Sequence, residues 1–225
     1  MLRLIILQLL ALIALTAEAA AVNLAGRQIE VAIPAGYCQF GTRLVDIALA
    51  RVILSEIGND NQVLAYFANC EELDAYRHGD REALDNFGLV FAQTRNGNKL
   101  MPIPGKSRRD FIKEMGGVII PDVAEVVKNG ETQFKQALSK GRIPLDSQQA
   151  FHLQADDNGA YFGIFGQVTD VHGERSNMLG VFGISLVKEM FLSIEIYQRF
   201  TSTPPLEDLL DRQQAAMAKL VEANQ

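Results

Sequence analysis

Residues 151–200 read FHLQADDNGAYFGIFGQVTDVHGERSNMLGVFGISLVKEMFLSIEIYQRF, and we expect the fold to be built around them. Apolar residues and glycines dominate it, and short polar breaks at 156–159, 172–174 and 188–189 divide it into segments. Segments rich in β-branched and aromatic residues, bounded by turn-forming residues, are typical of β-strands. Because such short turns join antiparallel neighbours, we expect antiparallel strands at 151–155, 161–168, 177–187 and 191–200.

A five-residue pattern, apolar–Gly–β-branched–Phe–Gly, occurs in two of these strands, at 162–166 and at 179–183. Successive side chains of a strand point to opposite faces, so each copy puts one glycine beside one bulky residue on each face. The glycines predict close approach of covering helices or bending of the sheet. Apolar residues on both faces predict an α+β fold, a single-domain α/β/α sandwich around a mostly antiparallel sheet of about six or seven strands.

The rest of the chain supplies further strands and the covering helices. Alternating segments predict strands at 27–32, 62–68 and 87–94. Helices are expected at 43–57, from Asn69 to about Arg77, from Ser107 to the glycines at 116–117, and after Thr203-Pro204-Pro205. In the first helix we expect one stripe to face the core, made of Leu44, Ile47, Ala48, Arg51 and Leu54.

Residues 1–21 have the features of a cleaved export signal. Arg3 is followed by an apolar run at 4–15 and by the small-x-small pattern Ala17-Glu18-Ala19. The run of about a dozen residues is shorter than the roughly 20 that a membrane-spanning helix needs. We therefore predict a signal peptide at 1–21, cleaved near Ala19 or Ala21, and a soluble domain at 22–225 in the periplasm or outside the cell.

Composition narrows the classes of partner. The 225 residues carry a formal net charge of −6 and no basic cluster, which argues against nucleic acid as a partner. The remaining apolar runs are short and interrupted by glycines, so no transmembrane segment is expected once the signal is removed.

The two cysteines, Cys38 and Cys70, both lie in the predicted mature chain. An even count in an oxidising compartment favours a disulfide bond between them. The alternative is a pair of buried free thiols. The spacing fits neither a redox motif nor a metal-binding motif.

Two short motifs come close to a catalytic pattern without completing it. Gly105-Lys106-Ser107 could end a phosphate-binding loop, but Leu100 stands where that loop requires a glycine. Gly183-Ile184-Ser185 could begin a nucleophile elbow, but Val187 replaces its second glycine. The three histidines fit no metal-ligand spacing. We therefore predict no cofactor, no metal site and no recognisable catalytic set.

The last strand carries the best candidate for a functional site. Ser193, Glu195, Tyr197 and Arg199 alternate onto one face, which we expect to point outward. A carboxylate, a phenol and a guanidinium in line can bind a polar ligand or partner. The same row can equally be the solvent-exposed face of an edge strand, with an ion pair between two of its residues.

The order of elements resembles the PsbP/DcrB-like α/β/α sandwich family of exported proteins. The features behind the resemblance are an Ile-Pro-Ala-Gly turn at 33–36, the glycine-rich antiparallel block, a strand ending in Ile196-Tyr197, and a proline-capped terminal helix. The resemblance covers most of the predicted mature chain and implies a non-catalytic accessory or binding module. The chain lacks the lipid-attachment cysteine of DcrB, so membrane tethering is not implied.

Two functions are therefore expected from the sequence. The first is an exported binding or accessory module whose partner is a protein or another component of the cell envelope. The alternative is a hydrolase that uses a polar site near Glu195, Tyr197 and Arg199.

Overall fold

The computed structural model describes residues 20–57, 61–95, 99–100, 102–116, 149–169 and 175–225. Positions 1–19 of the predicted signal peptide lie outside the described residues. The strands are β1 (Ala20–Leu24), β2 (Arg27–Val31), β3 (Tyr37–Gln39), β4 (Asn61–Asn69), β5 (Asn86–Arg95), β6 (Lys99–Leu100), β7 (Gln149–Ala155), β8 (Ala160–Thr169), β9 (Arg175–Val187) and β10 (Met190–Phe200). The helices are α1 (Leu44–Ile57), α2 (Cys70–His78), α3 (Arg108–Gly116) and α4 (Leu206–Glu222). None of the described helices combines the length and the apolar character that crossing a bilayer requires.

The main sheet has the strand order β3-β4-β5-β10-β9-β8-β7, and β6 adds to it by pairing with β5. All of its neighbouring strands run antiparallel. The block 151–200 forms β7 to β10, so the four strands expected there are confirmed. β1 and β2 form a separate two-stranded hairpin.

Helices cover the sheet on both faces, which confirms the expected α+β sandwich. On one face, called here the α4 face, Leu209 and Met217 of α4 join a continuous core with Ile194 and Ile196 of β10. The β1–β2 hairpin packs into the same core. The opposite face is called the α1–α3 face, because α1 and α2 cover its β4–β5 half and α3 covers its β7–β9 half.

The glycines of the block make room for side chains on both faces. A Cβ atom on Gly183 would lie 2.8 Å from Nε2 of Gln213 and 3.1 Å from Cε of Met217, both on α4. A Cβ atom on Gly180 would lie 2.7 Å from the ring of Tyr197. The expected close approach of a helix is therefore confirmed at Gly183, whereas Gly180 accommodates a ring of the neighbouring strand instead.

The prediction about α1 is wrong in one respect, because the helix presents its other side to the sheet. Leu44 is 86% exposed, and Ile47, Ala48 and Arg51 are exposed as well. The residues that α1 buries are Asp46, Leu49 and Ile53. Apolar residues surround almost the whole helix, so their spacing does not identify the buried side.

The predicted disulfide bond between Cys38 and Cys70 is present. It links β3, at the edge of the sheet, to the first residue of α2, where the two Cα atoms are 4.8 Å apart. The predicted cap of α2 is confirmed, since Oδ1 of Asn69 accepts hydrogen bonds from the backbone N–H groups of Glu71 and Glu72. Glu72 itself does not close the capping pair, because its carboxylate accepts from the backbone N–H groups at 85 and 86.

Candidate functional site

The polar row predicted on β10 does not face solvent: Ser193 and Glu195 are buried, and Tyr197 and Arg199 are half-buried. β10 is the central strand of the sheet, with β5 on one side and β9 on the other, and helices cover this face, so the expectation of an outward-facing row is wrong. Ser193 is 1% exposed and Glu195 is 9% exposed. The row belongs to the α1–α3 face, and its alternation cannot distinguish a central strand from an edge strand.

Glu195 has apolar neighbours on both adjacent strands. Its register partners are Leu89 on β5 and Phe182 on β9. The phenol of Tyr197 donates a hydrogen bond to its Oε2 at 2.6 Å. Burial raises the pKa of the Glu195 carboxyl, and the hydrogen bond from Tyr197 offsets part of that rise.

Tyr197 is held by packing as well as by this hydrogen bond. Its ring stacks on Phe87 with the centroids 5.4 Å apart, and it occupies the space beside Gly180. Burial, followed by the neighbouring charge of Glu195, raises the pKa of the phenol well above its ordinary value. Glu195 and Tyr197 thus form a pair whose polar groups satisfy each other within the sheet.

Arg199 does not join this pair. Its Nε atom lies 3.1 Å from Oδ1 of Asp85, an ion pair whose angle is not that of a hydrogen bond. Its backbone N–H donates to the carbonyl of Asp85 at 2.7 Å, and the Asp85 carboxylate also pairs with Arg81. The structure therefore brings together Glu195 and Tyr197 and directs Arg199 to a different partner.

A concave surface that the sequence did not reveal lies at the edge of the sheet, between α1 and β4. This α1–β4 groove has a volume of about 320 Å³, and the end of β3 closes one side of it. Its apolar lining includes Phe40, Ile47, Ala50, Leu54, Leu64 and Tyr66. The sequence did carry a sign of this surface: apolar residues occur all round α1, and one side of a helix packed on a sheet cannot bury them all.

A buried ion pair fixes α1 beside this groove. Both carboxylate oxygens of Asp46 accept from the guanidinium of Arg77, at 2.9 Å from Nε and 2.7 Å from Nη2. The backbone N–H of Gly41 donates to the same carboxylate at 2.6 Å. The hydrogen bonds from Arg77 hold the pKa of Asp46 below its usual value, so this carboxyl is ionised at neutral pH.

Within the described ranges, no group of three or more His, Cys, Asp or Glu residues is placed to hold a metal ion. His152 is half-buried, with its ring centroid 5.2 Å from that of Phe162, and burial lowers the pKa of its imidazole.

Comparison with known proteins does not assign this chain to a family. No family model matches the chain, and no curated protein matches it either. The resemblance to the PsbP/DcrB-like family stays a prediction.

Proposed function

We propose that this protein is an exported, non-catalytic binding module of the cell envelope, and that its partner docks on α1 and the α1–β4 groove. The observation that carries the proposal is the exposure of α1. The large apolar side chains that are exposed in the described part of the chain all belong to this helix: Leu44 at 86%, Ile47 at 38% and Val52 at 59%. Clustered exposed apolar residues mark interaction sites more often than scattered ones do.

Two further features support export. The disulfide bond between Cys38 and Cys70 fits an oxidising compartment. The pattern of residues 1–21 fits a cleaved signal peptide. The hydrolase alternative has less support, because Glu195 is buried and paired with the half-buried Tyr197, whereas the surface beside α1 is open.

Affinity capture from an envelope extract tests the proposal. The bait is the exported chain with a photo-crosslinking amino acid at Ala48, an exposed position on α1. The comparison variant is Leu44→Gln combined with Ile47→Gln, with the crosslinking amino acid at the same position. Because both replaced side chains are exposed, the fold should be unchanged, while capture should fall by at least about tenfold if they are binding hot spots. Ala215→Gln, on the exposed side of α4, is the matched control and should capture as the wild type does.

The proposal fails if the double variant captures the same partner as well as the wild type does. It also fails if no partner is crosslinked to α1 and the purified chain hydrolyses ester or peptide substrates, since that result favours the alternative function.

A further inference from the structure

β3 covers only part of the outer edge of β4. β3 pairs with β4 as far as Gln39, which lies opposite Phe67. One more backbone hydrogen bond follows, from the N–H of Phe40 to the carbonyl of Tyr66 at 2.9 Å. Beyond that point β4 runs on to Asn61 with β5 on one side and, within the described part of the chain, no strand on the other.

This uncovered edge forms the floor of the α1–β4 groove. Leu64 and Tyr66 of β4 line it from below, and Ile47 and Leu54 of α1 line its wall. An exposed strand edge offers unpaired backbone N–H and C=O groups, and an extended peptide can pair with them as an additional strand. The apolar wall supplies the pockets that hold alternate side chains of such a peptide.

The second observation is the charge of the groove. Asp46 is already paired with Arg77 and with the backbone of Gly41. Arg51 lines the groove. Arg43 is exposed, and its positive charge lies close enough to Asp46 to contribute to the lowered pKa of that carboxyl. Among the side chains that the structure describes, no carboxylate forms an ion pair with Arg43 or Arg51, so the described part of the rim is locally positive on a chain whose net charge is −6.

We propose that the α1–β4 groove binds an extended segment of a partner protein, which adds to the sheet as a strand beside β4. The segment has apolar residues at alternate positions and at least one acidic residue facing Arg51. This inference rests on the proposed binding function and names the class of partner and the mode of binding.

A second copy of this chain is a poorer occupant of the same edge. A two-fold symmetric contact between two β4 strands brings the same surface patch onto itself. The positive rim of one copy would then face the positive rim of the other, and like charges across a strand pair are unfavourable. An acidic peptide has the complementary charge.

The experiment begins with selection of peptides from a phage-displayed library of random heptamers on the exported chain. Enriched sequences should alternate apolar residues and contain Asp or Glu. The best one is then synthesised with a fluorescent label, and its binding is measured by fluorescence anisotropy. Two matched variants test the charge: Arg51→Glu should weaken binding of the acidic peptide by about fivefold, whereas Arg109→Glu, on the exposed surface of α3, should not.

N-methylation of the peptide tests strand addition itself. In a strand, alternate backbone N–H groups point toward the same neighbour. Methylating the nitrogens that face β4 should weaken binding by at least about tenfold, since it removes backbone hydrogen bonds and introduces a clash. Methylating the alternate set should have little effect. A peptide bound as a helix or through side chains alone would not show this alternation.

Each outcome decides the inference. Failure to enrich peptides, enrichment without acidic residues, or equal effects of the two methylated sets would overturn it. So would sedimentation of the free chain as a dimer that the peptide does not dissociate. If partner capture still depends on Leu44 and Ile47 while the peptide tests fail, the binding function stands and only strand addition is wrong. If capture does not depend on α1, the proposed function itself is wrong.

Discussion

One carboxyl group is buried at the centre of the sheet and another at its α1–β4 edge, and their surroundings shift the two pKa values in opposite directions. Glu195, on the central strand, has a phenol as its hydrogen-bond partner and apolar neighbours on both adjacent strands. Asp46, beside the groove, has a guanidinium and a backbone N–H. Burial raises the pKa of Glu195, whereas Arg77 lowers that of Asp46.

Burial therefore does not by itself determine the charge of a carboxyl group. A carboxylate stays ionised where donors and an opposite charge replace the water it has lost, and it is driven toward the neutral acid where they do not. The edge region is therefore organised by a charged pair and a disulfide bond, and the centre by packing. Three sets of substitutions test this contrast, given in decreasing order of the expected loss of stability.

Adding one methyl group to the centre should have the largest effect. In Gly88→Ala, the new Cβ atom would lie 2.2 Å from the carbonyl oxygen of Glu195 and 2.5 Å from the ring of Phe67. Because a backbone atom cannot move aside without disturbing the sheet, we expect a loss of about 3 kcal/mol in the free energy of unfolding. Urea denaturation measures it.

Gly166→Ala is the matched control, since a Cβ atom there meets nothing within 4 Å. Its free energy of unfolding should stay within about 0.5 kcal/mol of the wild type. Equal losses at the two glycines would show that the close contacts around Gly88 are not the cause of its loss.

Removing the charge of Asp46 should have the next largest effect. Asp46→Asn leaves the guanidinium of Arg77, which is 17% exposed, without its ionic partner, at a cost of about 2 to 3 kcal/mol at neutral pH. The wild-type pair contributes its full stability above the pKa of an unfolded aspartate and loses it as the pH falls through the lower folded value. The variant should show a flatter stability profile in this acidic range.

The control for this pair is Asp74→Asn, because the side chain of Asp74 is 70% exposed. We expect a change of no more than about 0.5 kcal/mol. If Asp46→Asn costs no more than Asp74→Asn does, the ion pair does not organise the edge.

Substitutions of the Glu195–Tyr197 pair should have the smallest effect at neutral pH and the opposite dependence on pH. Because the folded pKa of Glu195 is raised, the contribution of this carboxyl to stability is greatest below the pKa of an unfolded glutamate and is lost as the pH rises through the folded value. Glu195→Gln should remove this fall. Tyr197→Phe should make the fall in stability larger, because the Glu195 carboxyl loses its hydrogen-bond donor. We expect this variant to lose about 1 to 2 kcal/mol in the free energy of unfolding at pH 7.

Tyr66→Phe is the control for the phenol, because no hydrogen bond of the Tyr66 hydroxyl is found among the described residues. Denaturation followed from pH 4 to pH 9 distinguishes the cases. A fall in stability that persists unchanged in Glu195→Gln would assign it to another group.

Local features of this fold could be predicted from the sequence, and the arrangement of distant segments could not. The strands at 151–200, the cap at Asn69 and the disulfide bond all follow from patterns within short stretches or from the cysteine count. The position of β10 at the centre depends on its pairing with β5, about a hundred residues earlier, which no local pattern reports. That pairing, together with the helices that cover this face, buries Ser193 and Glu195 and leaves Tyr197 and Arg199 half-buried, where an outer row was expected.

The groove escaped prediction for a related reason. Helical spacing in α1 is compatible with more than one buried side, and the choice is made by Asp46, whose partner Arg77 lies on a different helix. A charged residue among apolar ones is normally assigned to the solvent side. Here it marks the buried side, and the apolar residues opposite become the exposed surface.

Asn224, just beyond α4, bonds to the β1–β2 hairpin, and this contact bears on the order of folding. Asn224 is 4% exposed, and its side-chain amide bonds both the N–H and the carbonyl of Glu30, 194 residues earlier. The hairpin packs into the same core as α4, so its native packing requires segments far apart in the sequence to meet. Closing so long a loop costs conformational entropy before any contact forms, so we expect the hairpin to dock late in folding.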